Sequence, residues 1–198
     1  GPVRTTKRAE AETSTLAFAS LQGVRQYLQT KAGDIVGEYI YTTQAGDVVL
    51  TIFRCERNGE KTYRPVHLTD KGYVLGASPK PRLLYNLPKV AESEAVIVVE
   101  GEKCCDVLKR FGFTATTSPG GAKNAKSADW TPLAGKAVTL WPDNDAAGRA
   151  YMADVEQILD GLSPAARVSI VDPARLDLAE GEDAADLAAQ LGVLKKTD

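Results

Sequence analysis

The sequence has few of the residues that build disulfide frameworks or transition-metal sites. Its 198 residues include three cysteines and one histidine, and their spacing matches neither a disulfide framework nor a zinc site. Long apolar runs are also missing. The longest spans residues 95–99, whereas a membrane-spanning helix needs about 20 apolar residues. We therefore predict a reduced, cytoplasmic protein with no membrane partner.

Charges of both signs are present but unevenly placed, although the formal net charge is only −2. Residues 51–90 carry eight basic and three acidic side chains, whereas residues 143–186 carry eleven acidic and three basic ones. An enzyme that holds a polyanion at a metal site needs such a pair of surfaces. Two solvated faces would give the same composition, so the charge alone does not decide between these interpretations.

The hydrophobic pattern divides the chain into three parts. Residues 1–33 are predicted to form a polar tail and a helix that begins near Thr13 or Ser14. Residues 34–94 contain short β-like runs separated by turn residues, which predict a small, basic, antiparallel β-rich subdomain. In residues 95–198, short apolar strands alternate with helical patterns, which is typical of a doubly wound α/β sheet. The strands are expected near residues 96–99, 114–117, 137–141 and 167–171, and the helices near 103–111, 146–161 and 183–192.

Acidic side chains follow the predicted strands where a doubly wound sheet collects its chemistry. Glu100 follows the first strand of this sheet, Asp143 and Asp145 follow the third, and Asp183 and Asp186 open the last helix. The carboxyl ends of parallel strands meet at one edge, and carboxylates gathered there repel one another unless a cation lies between them. Oxygen ligands without a nearby histidine or cysteine select a hard ion, Mg²⁺ or Mn²⁺.

Three segments of the sequence resemble the TOPRIM domain, an α/β fold found in bacterial-type primases, type IA and type II topoisomerases and some nucleases. They are residues 98–103 (Val-Val-Glu-Gly-Glu-Lys), 118–121 (Ser-Pro-Gly-Gly) and 140–149 (Leu-Trp-Pro-Asp-Asn-Asp-Ala-Ala-Gly-Arg). The resemblance is strongest to the TOPRIM primases of phages, plasmids and primase–helicase fusions. It covers residues 95–191 and implies a TOPRIM-type doubly wound sheet in the third part of the chain.

The resemblance also implies roles for individual acidic residues. Glu100 matches the family's glutamate, a metal ligand or general acid–base. Asp143 and Asp145 match its metal-binding pair, while Asp183 matches a further acidic position with Asp186 as its partner. These five residues are therefore the predicted metal ligands, and the first three are the predicted catalytic residues.

Basic residues are expected to bind the phosphate groups of nucleotides and nucleic acid. Lys103 and Arg149 lie within the segments that resemble the family, and Lys123 follows a Gly-Gly turn whose backbone amides suit a phosphate as well as a plain surface turn. The basic subdomain is expected to hold the template through its arginines, with aromatic side chains between them for stacking. These residues are Arg54, Arg57, Arg64 and Arg82, and Tyr41, Phe53, Tyr63 and Tyr73.

The sequence departs from the family in two places. The family often has an aspartate four residues after its glutamate, where this sequence has Cys104, and the next acidic residue is Asp106. The zinc-binding module that usually precedes such domains has no counterpart here, so we expect no zinc in this chain.

The resemblance implies a primase, a nucleotidyltransferase that joins ribonucleotides on a single-stranded DNA template with Mg²⁺ or Mn²⁺. Its expected partners are single-stranded DNA, ribonucleoside triphosphates and a replicative helicase that is fused or separate. Two alternatives stay open from the sequence. One is a TOPRIM-type nuclease or nicking enzyme, and the other is a nucleic-acid-binding module without turnover.

Overall fold

The computed structural model describes residues 16–121 and 124–190. Its first unit is an antiparallel sheet of five strands, in the order β1-β5-β4-β3-β2. The strands are β1 (Ala17–Phe18), β2 (Asp34–Thr42), β3 (Val48–Arg57), β4 (Glu60–Thr69) and β5 (Gly72–Leu75). Helix α1 (Leu21–Lys31) packs against this sheet. The predicted antiparallel β-rich unit is therefore confirmed, while its predicted bounds of 34–94 stay a prediction.

The predicted start of the first helix is wrong. The helix begins at Leu21 because Ser20 is its N-cap, and the Ser20 hydroxyl accepts a hydrogen bond from the backbone N–H of Gly23 at 3.2 Å. Phe18 lies in β1, pairs with Tyr73 of β5 and packs against the ring of Tyr27. The polar residues 1–15, which include Thr13 and Ser14, lie outside the described residues.

Alternation along β3 and β4 gives the first sheet two different apolar faces. Phe53 and Val66 point to the face that packs on α1. Leu50 and Ile52 point to the opposite face, where they pack beside Tyr41 of β2. Successive side chains of a strand point to opposite faces, so each residue of β3 and β4 belongs to one face only.

The second unit is a parallel sheet of four strands, in the order β7-β6-β8-β9. Its strands are β6 (Ala95–Val98), β7 (Ala115–Thr116), β8 (Ala137–Leu140) and β9 (Arg167–Ile170), and the helices of this half are α2 (Leu87–Glu92), α3 (Glu102–Arg110), α4 (Ala146–Asp160) and α5 (Ala184–Gln190). Each strand and helix predicted for this unit is present, whereas α2 was not predicted. Within the described part of the chain, no helix is long and apolar enough to cross a lipid bilayer.

Helices cover both faces of the parallel sheet. Tyr151 and Leu159 of α4 pack on one face, and Leu108 of α3 with Ala185 of α5 packs on the other. Burial on both sides explains why β6 is apolar throughout. The doubly wound α/β sheet predicted from the sequence is therefore confirmed.

The chain changes direction between the two central strands, β6 and β8. It leaves β6 through α3 to pair β7 on one side, and β8 pairs with the other side of β6. This arrangement opens a crevice outside the carboxyl ends of β6 and β8, which is the usual ligand site of such sheets.

Leu140 should contribute strongly to stability because it is fully buried at the end of β8. We expect Leu140→Ala to lower the free energy of unfolding by about 2–4 kcal/mol. The control is Ile170→Ala on the edge strand β9, where the side chain is 55% exposed and the expected cost is below about 0.5 kcal/mol. Urea unfolding measures both, and equal costs would contradict the described packing of β8 and β9.

Candidate active site

The crevice beside β6 and β8 is part of a cleft of about 610 Å³ that is lined by residues of both sheets. Glu100 enters it from the loop after β6, and Asp143 enters from the loop after β8. Asp183, just before α5, lines the same cleft. The structure therefore brings together three of the five acidic residues selected from the sequence, at the predicted edge of the sheet.

Helix α4 packs its first turn directly against the two strand-end carboxylates. Asp145 caps this helix, because its Oδ1 accepts a hydrogen bond from the backbone N–H of Gly148 at 2.7 Å. A Cβ atom at position 148 would lie 2.8 Å from the backbone N and O of Asp143 and 2.9 Å from Oε2 of Glu100. Only glycine leaves room for this approach.

Burial and mutual repulsion raise the pKa values of both central carboxyl groups. Burial, with added repulsion from Glu100 and Asp183, raises the pKa of Asp143 to about 8. Burial and the charge of Asp145 raise the pKa of Glu100, while a hydrogen bond with Asp143 opposes this shift. Oε2 of Glu100 is buried and has no hydrogen-bond partner among the described residues. A bound cation would relieve both the repulsion and the unsatisfied oxygen.

The two aspartates near the start of α5 form hydrogen bonds that cap the helix. Oδ1 of Asp183 accepts from the backbone N–H groups of Ala185 and Asp186, at 2.7 and 3.0 Å, and Oδ2 of Asp186 accepts from the N–H of Asp183 at 3.0 Å. Oδ2 of Asp183 also lies 3.9 Å from Nζ of Lys103. Asp183 lines the cleft and Asp186 does not.

In residues 16–121 and 124–190, no three or more acidic, cysteine or histidine side chains are arranged as a metal-ligand group. Glu100 and Asp143 converge, whereas Asp145 and Asp183 each give one oxygen to a helix cap. The five-residue ligand set therefore stays a prediction. The converging groups offer only oxygen atoms, and this donor chemistry suits Mg²⁺ or Mn²⁺.

Sequence reasoning missed the role of Asn144 between the two aspartates. Its backbone N–H donates to the carbonyl of Glu182 at 2.9 Å, and its Nδ2 donates to the carbonyl of Leu178 at 2.9 Å. These bonds tie the loop before α5 to the loop after β8, which keeps Asp183 beside Asp143. An asparagine between two strand-end aspartates is the only sequence signal for this tie.

Glu102, which lines the cleft, is a second residue that sequence reasoning missed. It opens α3, is buried, and accepts a hydrogen bond from the hydroxyl of Tyr41 at 2.6 Å. Burial raises the pKa of Glu102. The expectation that Tyr41 and Phe53 offer stacking surfaces is wrong, because both are fully buried. Tyr63, by contrast, is 54% exposed and lines the cleft.

The structure separates the four arginines that were predicted to hold the template. Arg82 lines the cleft, and Arg54 pairs with Tyr63 on the face of the sheet that points to the cleft. Arg57 and Arg64 lie on the face that packs on α1, where they line a separate recess with Lys31. The structure thus brings two of the four arginines to the side of the acidic cluster.

The three other basic residues predicted to bind phosphate have different positions. Lys103 lines the cleft. Arg149 is exposed in the first turn of α4 and does not line it. Lys123 lies outside the described residues. Of the two described residues in this group, only Lys103 therefore lies beside the carboxylates.

Solved structures of primases share the α/β fold of this chain. A structure of the DnaG catalytic core matches with a TM-score of 0.52 and 20% identity, over 83% of this chain and 55% of that chain. The primase fragment of the bacteriophage T7 primase–helicase matches with a TM-score of 0.54 and 18% identity, over 94% of this chain and 79% of that chain. A DnaG primase catalytic domain bound to single-stranded DNA matches with a TM-score of 0.53 and 21% identity, over 78% of this chain and 47% of that chain.

These similarities show that the chain has the fold of a primase catalytic core. It spans about half the length of two of these three proteins. No protein-family model matches the sequence, and no curated protein matches it. The structural similarity thus supports the fold that the TOPRIM resemblance implied, while membership of the TOPRIM family stays a prediction.

Gly148 should tolerate no side chain, in contrast to the other glycine within a described helix. We expect Gly148→Ala to destabilise the protein by about 1–3 kcal/mol, because the new Cβ overlaps Asp143 and Glu100. The control is Gly23→Ala in α1, where the nearest atom is 3.7 Å away and alanine is the better helix former by about 1 kcal/mol. Thermal unfolding that ranks the two variants in the opposite order would contradict this geometry.

The half-buried Asp143 carboxyl should make the metal-free protein less stable at high pH. A raised pKa means that the folded state binds the proton more tightly, so stability falls as the pH rises from about 4 to about 8. Asp143→Asn should remove this pH-dependent loss of stability, because asparagine does not ionise. We expect the variant to exceed the natural chain in stability by about 1–2 kcal/mol at pH 9, after solvent screening, with a smaller difference at pH 5.

Thermal unfolding in EDTA across this pH range measures the difference. The control is Asp160→Asn at the exposed end of α4, which should follow the pH dependence of the natural chain. A stability difference for Asp143→Asn that stays constant from pH 5 to pH 9 would contradict the raised pKa.

Proposed function

We propose that this chain is the catalytic core of a DNA primase, which joins ribonucleotides on a single-stranded DNA template. The observation that carries the proposal is the half-buried pair of Glu100 and Asp143 at the switch point of the parallel sheet. The shared fold of primase catalytic cores supports it, and one of those matched domains is bound to single-stranded DNA. The proposed partners are single-stranded DNA, ribonucleoside triphosphates and a replicative helicase.

The acidic residues of the cleft fit a hard divalent ion. The unsatisfied Oε2 of Glu100 and the desolvated carboxyl of Asp143 would be its central ligands. Asp145, Asp183 and Asp186 are the further proposed ligands. When bound, Mg²⁺ or Mn²⁺ would neutralise the charge that develops as a 3′-hydroxyl attacks the α-phosphorus and pyrophosphate leaves.

The chain itself would bind the reactants and move the proton. Lys103 and Arg82 lie on the same cleft as the carboxylates, where they would bind the phosphates of the nucleotide and the template. Glu100 is the residue proposed to accept the proton of the attacking hydroxyl, through the carboxylate oxygen that does not hold the ion. In this scheme residues 95–198 perform the chemistry, and residues 34–94 supply the opposite wall of the cleft.

Primer synthesis on circular single-stranded DNA tests this function. The purified chain is given labelled ribonucleotides and Mn²⁺ or Mg²⁺, and we expect short labelled products. Glu100→Gln and Asp143→Asn should each reduce product formation at least about 100-fold, because each removes a charge that holds the ion. Asp160→Asn, which lies outside the cleft, should leave it unchanged.

The same proteins are then incubated with supercoiled plasmid to separate the proposal from its alternatives. Metal-dependent nicking without primer synthesis, lost in Asp143→Asn, would replace the primase with a nuclease. Single-stranded DNA binding with neither activity would indicate a binding module. Primer synthesis that survives both cleft substitutions would contradict the assigned site.

A further inference from the structure

The cleft has an apolar wall opposite its carboxylates. Leu50 and Ile52 of β3 form its inner part, and Tyr63 and Pro65 of β4 form its outer part. The strand register pairs Ile52 with Pro65. Tyr63 is two residues before Pro65 in β4, so its side chain lies on the same face of the sheet. Four side chains without formal charge thus line one side of a cleft whose other side holds the acidic cluster.

This face of the first sheet is covered along one side and open along the other. Along β2, Tyr39 and Tyr41 pack against the ring of Tyr85, with ring centroids 6.3 and 5.2 Å apart. Along β4, Tyr63 is 54% exposed. Its ring forms no aromatic pair with another described residue. The open side is the side that lines the cleft.

The chemistry of the cleft suits a ligand with one charged and one flat apolar end. Lys103 and Arg82 would bind phosphate groups, and a divalent ion at Glu100 and Asp143 would bind them as well. The wall around Tyr63 offers an aromatic ring for a flat partner. A volume of about 610 Å³ lies within the range of single small-molecule sites, so the cleft has room for one nucleotide.

We infer that the wall formed by Tyr63, Pro65, Leu50 and Ile52 is the nucleobase subsite of the incoming nucleoside triphosphate, and that the ring of Tyr63 stacks on the base. The inference rests on the proposed function and deepens it. Every base has a π-face, so stacking of this kind binds all four bases without reading their identity. Tyr63 therefore contributes affinity for the nucleotide and no choice among the four nucleotides.

Nucleotide binding without template tests the subsite apart from primer synthesis. Calorimetry with the full chain and Mn²⁺ compares ATP, CTP, GTP and UTP with inorganic tripolyphosphate, which has the phosphates but no base. Tyr63→Ala should weaken binding of each nucleotide about tenfold and leave tripolyphosphate binding unchanged. Tyr63→Phe, which keeps the ring, should restore nucleotide binding. In primer synthesis, Tyr63→Ala should raise KM for ribonucleotides about tenfold with little change in kcat.

The matched control is Phe113→Ala, because Phe113 is also 54% exposed and does not line the cleft. It should leave every affinity unchanged. Unchanged nucleotide affinity in Tyr63→Ala, while the natural chain synthesises primers, would overturn the subsite and leave the function standing. Weaker binding of single-stranded DNA alone would also overturn it, because the wall would then contact the strand. If the natural chain binds nucleotides but synthesises no primers, the proposed function is refuted. The effect of Tyr63→Ala on nucleotide affinity would then still test the subsite.

Discussion

The close approach of helix α4 to the ends of β6 and β8 is the constraint on which the site depends. Gly148 lets the first turn of this helix touch both Glu100 and Asp143, and the cap at Asp145 fixes where the helix begins. The two carboxyl groups are partly removed from water as a result, and their pKa values rise. The contact costs stability in the free protein, and a cation would recover it. Stability and ligand binding are therefore opposed at this contact.

The sequence predicted the parallel sheet well because its signals are local. Apolar strands such as β6 are buried on both faces, and the carboxylates follow the strand ends directly, so Glu100 and Asp143 could be selected without a structure. The helix start could not be placed, because Phe18 fits a helical period as well as a strand. Glu102 and Tyr41 were missed because their hydrogen bond joins residues 61 positions apart, and no local pattern encodes such a contact.

The positions of the arginines show that composition alone predicts a single basic surface, whereas strand periodicity predicts two. A count over residues 51–90 treats Arg54, Arg57 and Arg64 as one basic surface. The strand period of two places Arg54 on one face and Arg57 on the other, and the hairpin register then assigns Arg64 to the second face. The tight turn between β3 and β4 is readable from its Asn-Gly step. This separation was therefore within reach of the sequence, although the position of the acidic cluster relative to either face was not.

The cleft owes its shape to the contact between the two sheets. Tyr41 and Glu102 join them through a buried hydrogen bond, and the hydroxyl of Tyr85 donates to Asp106 on the next turn of α3 at 3.0 Å. A buried donor or acceptor that loses its partner costs about 1–3 kcal/mol. The bond of Tyr41 thus holds the first sheet against α3, and the bond of Tyr85 holds the segment before α2 against the same helix. The same face of that sheet continues past this contact to β4, where Tyr63 is exposed. The open wall at Tyr63 is thus a consequence of where the docking contact ends.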